Sequence, residues 1–104
     1  CSASGVARRH PDIKWLRRPD DVARFARAQA VILDALWRVL APGGKMLYCT
    51  CSVFRAENAA QIEAFAARHA DARRLPSGGA HHEIQLLPGP DHDGFYYAPL
   101  QKTA

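Results

Sequence analysis

The sequence predicts an α/β fold, and three observations carry that reading. A long amphipathic segment is followed by a short apolar run, and a second amphipathic segment comes after it. Two further short strand-like runs close the chain. Gly and Pro clusters separate the segments. Helix–strand alternation argues for a sheet with parallel crossovers. The last two strands, joined by a turn, suggest a hairpin that adds one antiparallel strand. The 104 residues suit one small domain at most.

Residues 1–19 read as a loop punctuated by Pro11 and Pro19, with Ile13, Trp15 and Leu16 as anchors to a core. Asp20 or Asp21 suits a helix cap after Pro19. Val22, Phe25, Gln29, Ile32, Leu33, Leu36 and Leu40 recur at helical steps, so a helix spans about 21–40. Pro42-Gly43-Gly44 ends it. Lys45 to Thr50 reads as a buried strand. Asn58 and Gln61 resemble a capping box for a second helix over about 57–69, with Ala59, Ile62, Phe65 and Ala66 inward. Residues 71–80 read as loop. Glu83 to Leu87 and Phe95 to Leu100 are the last two strands. Three strands make a thin sheet, and an edge that expects a neighbour implies a missing front half.

Composition narrows the classes. Hydrophobic residues at 48% and aromatics at 9% suffice for a core and exclude global disorder. No apolar run reaches the roughly 18 residues of a membrane span, so no membrane partner is expected. Three cysteines without disulfide-like spacing favour free thiols in a reducing cytoplasm. Paired Cys or His spacing of a zinc site is absent, so no metal is expected. No obligate protein partner is evident. The net charge of +4 fits a polyanion without requiring one. Arg8, Arg9, His10, Lys14, Arg17 and Arg18 cluster around Trp15. They suit phosphates and an unstacked base. A solvated basic loop with Trp15 packed inward is the plainer reading, and composition alone favours it.

Cys1 and Cys51 each stand where a strand is expected to end, in Cys1-Ser2-Ala3-Ser4-Gly5 and Tyr48-Cys49-Thr50-Cys51-Ser52. On residue type alone, a buried structural cysteine is the default for each thiol. The surrounding motifs add to this. The opening stretch with Arg8-Arg9-His10-Pro11-Asp12-Ile13-Lys14-Trp15 resembles the region after the Asp-Ala-Pro-Cys motif of RNA cytosine-C5 methyltransferases. Leu40-Ala41-Pro42-Gly43-Gly44, Thr50-Cys51-Ser52 and Glu57-Asn58 resemble that family's next motifs, in order. Leu86-Leu87-Pro88-Gly89 and Asp93-Gly94-Phe95-Tyr96-Tyr97-Ala98 resemble its closing ones. The likeness covers nearly the whole chain and is strongest to the bacterial Sun/Fmu branch.

The resemblance implies the C-terminal portion of a single catalytic domain over residues 1–104. The fold implied is a Rossmann-like, S-adenosylmethionine-dependent methyltransferase, three-layer α/β/α with a final antiparallel strand. That strand lies between two others, and the cofactor-binding N-terminal half is missing. The implied activity is methylation of cytosine C5 in 16S ribosomal RNA, with Cys51 as the nucleophile at C6 and Cys1 assisting product release. The 104 residues alone are expected to be inactive. Arg8, Arg9 and Lys14 are candidate substrate contacts to RNA phosphate. Ser52 is expected to support its turn. Cys49 is expected to pack in the core, as is Phe95, with a lesser place for Phe95 beside the base. His81 and His82 are expected to be exposed, and His92 to serve its loop. Two alternatives stay open: action on another RNA such as tRNA, and a non-catalytic RNA-binding module that keeps the fold.

Overall fold

A computed structural model describes residues 1–103. Helix α1 spans Ile13–Leu16, α2 Asp21–Val39 and α3 Ala59–Arg68; the strands are β1 Lys45–Thr50, β2 Ala72–Arg74, β3 Ile84–Leu86 and β4 Phe95–Lys102. Short 3-10 turns occupy Ser4–Val6 and Arg55–Glu57. Strand β4 lies in the middle of the sheet and pairs antiparallel with β1, β2 and β3. Strands β1 and β2 therefore run in one direction with β4 between them. This bears out the expected antiparallel strand between two others. The parallel crossover through α3 exists, but it joins strands that do not pair with each other. Among the described residues no helix is long and apolar enough to cross a membrane.

Strand alternation sorts the side chains. Tyr96, Ala98 and Leu100 of β4 are buried and meet Leu33 and Trp37 of α2 and Ile62 and Phe65 of α3. Met46 and Tyr48 of β1 join this cluster. Both long helices thus cover one face. The other face carries Leu47 and Cys49, which are exposed, so the described residues supply two of the three expected layers.

Several local expectations change. Helix α2 turns Leu33 and Trp37 inward while Ile32 and Leu36 stay half exposed, because the apolar stripe is wider than the contact it makes. Asp21 does not cap α2; its carboxylate accepts the Arg18 amide and pairs with Arg24. Asn58 makes no capping bond, because its side chain is committed to Ser52, Thr50 and Gln85. Residues 71–80 are not all loop: β2 forms there by docking on β4, a tertiary gain that its Ala-Arg-Arg sequence does not signal. In the opening segment Ile13 is half-buried, but Trp15 and Leu16 point outward, at 79% and 62% exposure.

Trp37 is the hinge of the core. Its ring meets Phe65 edge-on at 5.1 Å, and its indole N–H donates to Asp71 at 2.9 Å. Trp37→Phe keeps most of the ring and removes that bond. We expect a loss of about 1–2 kcal/mol in chemical denaturation; an unchanged midpoint would show that Asp71 contributes nothing.

Candidate active site

The site is built where β1 ends. After Thr50 the chain turns sharply, and the turn is hydrogen-bonded throughout. The Thr50 hydroxyl accepts the Ser52 amide at 3.1 Å, and the Ser52 hydroxyl accepts the Phe54 amide at 3.0 Å. The expected turn-supporting role of Ser52 is therefore present. The Asn58 amide group donates to the Ser52 carbonyl at 2.8 Å and fixes the turn from α3.

The opening segment docks against this turn. The Gly5 amide donates to the Cys51 carbonyl at 2.8 Å, and the Gly94 amide donates to the Gly5 carbonyl at 2.7 Å. Gly5 is fully enclosed: a Cβ there lies 2.2 Å from the Gly94 oxygen and 2.8 Å from the Cys51 oxygen. Only glycine allows backbones this close. Ala3 takes the left-handed conformation, with φ of 58°. That strain persists because its neighbours are held on both sides. Ser2 is buried, its amide donates to Glu57 at 2.9 Å, and its carbonyl accepts from Arg17 at 2.8 Å.

These contacts bring the two predicted cysteines together. The Cys1 and Cys51 Sγ atoms lie 3.4 Å apart although they are fifty positions apart in sequence. They share a cavity of about 360 Å³ with Cys49, Thr50, Phe95 and Tyr97. Phe95 and Tyr97 are tilted rings 6.3 Å apart. Cys49 is exposed in this cavity and is not core packing: it shares the outward parity of Cys51, on the face no helix covers. Phe95 is half-buried on the cavity wall and does not join the core cluster. No group of three or more His, Cys, Asp or Glu among the described residues is placed to hold a metal ion.

The predicted cations divide. Arg8 donates to Asp93 at 2.8 Å and to the Gly89 carbonyl at 2.7 Å, and Arg9 pairs with Asp93 at 2.6 Å. They fasten the 88–94 turn to the opening segment. Lys14 lies 5.1 Å from the Trp15 ring and lines a cleft of about 370 Å³ with Arg18, Phe54, Ser2 and Ser4. His92 serves its loop, with its ring facing the Asp93 carbonyl, and His81 and His82 are exposed.

Sequence reasoning missed Asp93, Glu57, and Tyr97 on the cavity wall. Asp93 and Glu57 were visible only as parts of motifs, and burial is what gives them weight. The hydrogen bond from Arg8 is the main cause holding the Asp93 carboxyl below its ordinary value of 3.8; burial opposes it, and the Arg9 charge adds to it. Burial raises the Glu57 carboxyl, but hydrogen bonds from Ser2, Gln29 and Ser52 outweigh it, so Glu57 also lies below its ordinary 4.5. A carboxyl depressed in the folded state stabilises the fold fully above its unfolded pKa. That stabilisation fades as pH falls through the lower folded value. The melting temperature should be flat down to about pH 5 and fall below about pH 4. Asp93→Asn should flatten part of that fall. A variant that declines as steeply as wild type would remove Asp93 from the account.

The crossover helix and the antiparallel strand between two co-directional strands are those of part of an α/β methyltransferase fold. Solved structures share the fold. The crystal structure of PH0851 superposes with a TM-score of 0.88 at 31% identity, covering 98% of this chain and 25% of that one. The structure of NSun6 from Pyrococcus horikoshii with SFG superposes at 0.78 with 23% identity, covering all of this chain and 28% of that one, a likeness of fold alone.

Residues 1–101 match the family 16S rRNA methyltransferase RsmB/F, and the chain belongs to it. It is 55% identical to the ribosomal RNA small subunit methyltransferase B of Vibrio cholerae, over 98% of this chain and 24% of that protein. It is 56% identical to the protein of the same name from Serratia proteamaculans, with the same coverage. The chain thus spans about a quarter of the length of these relatives.

Proposed function

We propose that this chain is the nucleophile-bearing, C-terminal portion of the catalytic domain of an S-adenosylmethionine-dependent enzyme that methylates cytosine C5 in 16S ribosomal RNA. The observation that carries the reading is the 3.4 Å approach of Cys1 and Cys51 at the end of β1, in a cavity walled by Phe95 and Tyr97. A structural or binding role needs neither thiol. Two thiols held in contact beside aromatic rings suit covalent attack on a flat base.

The Cys51 thiolate adds to C6 of the cytosine, forming the S–C6 bond and moving the C5–C6 π electrons toward C5. C5 would then take the methyl group as the bond from the methyl carbon to the donor's sulfonium sulfur breaks and its electron pair stays on the sulfur. Loss of the C5 proton to a base or water restores the C5–C6 double bond as the S–C6 bond breaks, and its electron pair returns to Cys51 as the thiolate. Cys1, in contact with Cys51, assists that last step. Attack comes perpendicular to the ring, so the target base is unstacked. In this reading Phe95 and Tyr97, which wall the cavity, flank the base, and Lys14 and Arg18, which line the neighbouring cleft, meet phosphate.

S-adenosylmethionine supplies the methyl group when bound. The residues around the thiols suit the base. None of the cavity's residues is the carboxylate that a cofactor ribose takes, so this chain accounts for the base side of the reaction. A protein of the same fold was solved with SFG, an analogue of that cofactor. Free thiols at the site suit a reducing cytoplasm.

The test is a covalent complex. The complete protein carrying this chain is incubated with S-adenosylmethionine and 16S rRNA containing 5-azacytidine, then denatured. We expect a resistant protein–RNA band. RNA binding without a band would favour a non-catalytic RNA-binding module, and a band only with 5-azacytidine tRNA would reassign the substrate.

A further inference from the structure

Glu57 is a charged side chain in a place that charge ordinarily avoids. It is 0% exposed, and no cation pairs with it among the described residues. A buried carboxylate without an ion partner is costly unless hydrogen bonds satisfy it. Here three donors do so, and they come from three segments. One oxygen accepts the Ser2 amide at 2.9 Å and the Gln29 side chain at 2.9 Å. The other accepts the Ser52 hydroxyl at 2.8 Å.

The identity of those donors is the point. Ser2 follows Cys1 and Ser52 follows Cys51. One rigid carboxylate therefore holds, on its two oxygens, the residues next to both thiols. The Ser2 and Ser52 hydroxyls also meet each other at 3.3 Å, so the bridge is doubled. Bonds to an ionised acceptor are shorter and roughly twice as strong as neutral ones. Glu57 itself is anchored from behind. Its backbone carbonyl accepts the Tyr48 hydroxyl at 2.6 Å, and Gln29 ties it to α2. The bridge thus transfers the rigidity of β1 and α2 to two loops.

We propose that Glu57 is a positioning residue that sets the separation of the Cys1 and Cys51 thiols, acting through Ser2 and Ser52. It touches neither thiol and stands behind the cavity. The role of the separation in forming and releasing an adduct rests on the reading given under Proposed function; the separation itself does not. A displacement of about 1 Å at reacting groups can cost a hundredfold in rate.

The experiment compares wild type, Glu57→Gln and Glu57→Ala in the complete protein carrying this chain. Glu57→Gln keeps the length and one acceptor oxygen, so it retains the link to Ser2 and loses the charge. Glu57→Ala loses both links. The first readout is the rate at which the thiol oxidant diamide joins Cys1 to Cys51, mapped by peptide mass spectrometry. Thiols in contact close to a disulfide with small side-chain rotation. We expect that rate to fall about threefold in Glu57→Gln and about tenfold or more in Glu57→Ala. The second readout is methylation, where kcat should fall in the same order while KM for RNA stays within about threefold.

Wild-type disulfide rates and kcat in both variants overturn the proposal. So does a lowered melting temperature with both readouts unchanged below it, which would mark a purely structural carboxylate. If Glu57→Ala does not fold, Glu57→Gln decides alone. A wild type that forms no adduct while the disulfide rates follow the expected order sinks the catalytic reading and leaves the spacing role standing.

Discussion

On the proposed reading, Cys51→Ala in the complete protein carrying this chain is expected to lower methylation of 16S rRNA by at least about a thousandfold and to abolish the covalent complex. Cys49 lines the same cavity, but it belongs to the strand while Cys51 stands on the hydrogen-bonded turn. Cys1→Ala is expected to behave differently. The attack on C6 still occurs, and the S–C6 bond then breaks slowly. An adduct should therefore accumulate on ordinary cytosine RNA, without 5-azacytidine, and turnover should fall while the first methyl transfer survives. Denaturing gels and single-turnover kinetics separate the two cases. If Cys1→Ala alone removed the adduct, the two roles would be exchanged. If neither substitution changed methylation, the 3.4 Å thiol contact would have no catalytic meaning.

The second large effect falls on a residue with no functional group. Gly5→Ala places a methyl carbon 2.2 Å from the Gly94 oxygen, 2.7 Å from its carbon and 2.8 Å from the Cys51 oxygen. These are backbone atoms and cannot rotate away. The opening segment must lift, and the bonds from Gly5 to Cys51 and from Gly94 to Gly5 go with it. Overpacking and two lost hydrogen bonds together cost about 3 kcal/mol or more. Cys1 then leaves Cys51, and the 88–94 turn loses an attachment. We expect a melting temperature several degrees lower and loss of Cys1–Cys51 cross-linking by diamide. Wild-type cross-linking in Gly5→Ala would show that the close backbone approach does not hold the thiols. Gly43 makes a useful contrast. It has φ of 81° at the turn after α2, but a Cβ there meets nothing within 4 Å, so its substitution strains the turn alone.

Local chemistry is legible wherever one segment decides its own form. The three- and four-residue spacing from Val22 to Leu40 specifies α2 within one residue of its observed end. The apolar run Lys45 to Thr50, bounded by Gly44 and a polar turn, specifies the bounds of β1 to the residue but not the burial expected of it: Lys45, Leu47 and Cys49 are exposed, because β1 stands at the end of the strand order with helices on one face only. Strand β2 was not legible, because Ala72-Arg73-Arg74 becomes a strand only by pairing with β4. The capping roles expected for Asp21 and Asn58 failed for a related reason. A short polar side chain takes the best partner the fold offers, and here the Arg18 amide and the Thr50 hydroxyl occupy the side-chain oxygens that would otherwise accept from the helix ends.

The site divides along the same line. Motif order singles out Cys1 and Cys51, and strand parity places Cys49 on the side of Cys51. Both are properties of the chain written out in a row. That the thiols touch, that Cys49 faces the open side of the sheet, and that Arg8 and Arg9 are drawn to Asp93 depend on which segments meet. The sequence by itself determined α2, β1, α3, β3 and β4, their order, and the motifs that hold Cys1 and Cys51. Tertiary structure alone decided the 3.4 Å thiol spacing, the glycine contact that permits it and the buried carboxylate behind it. The reason is physical: periodicity and turn chemistry act over a few residues, whereas distances between loops fifty positions apart are set by packing and buried hydrogen bonds.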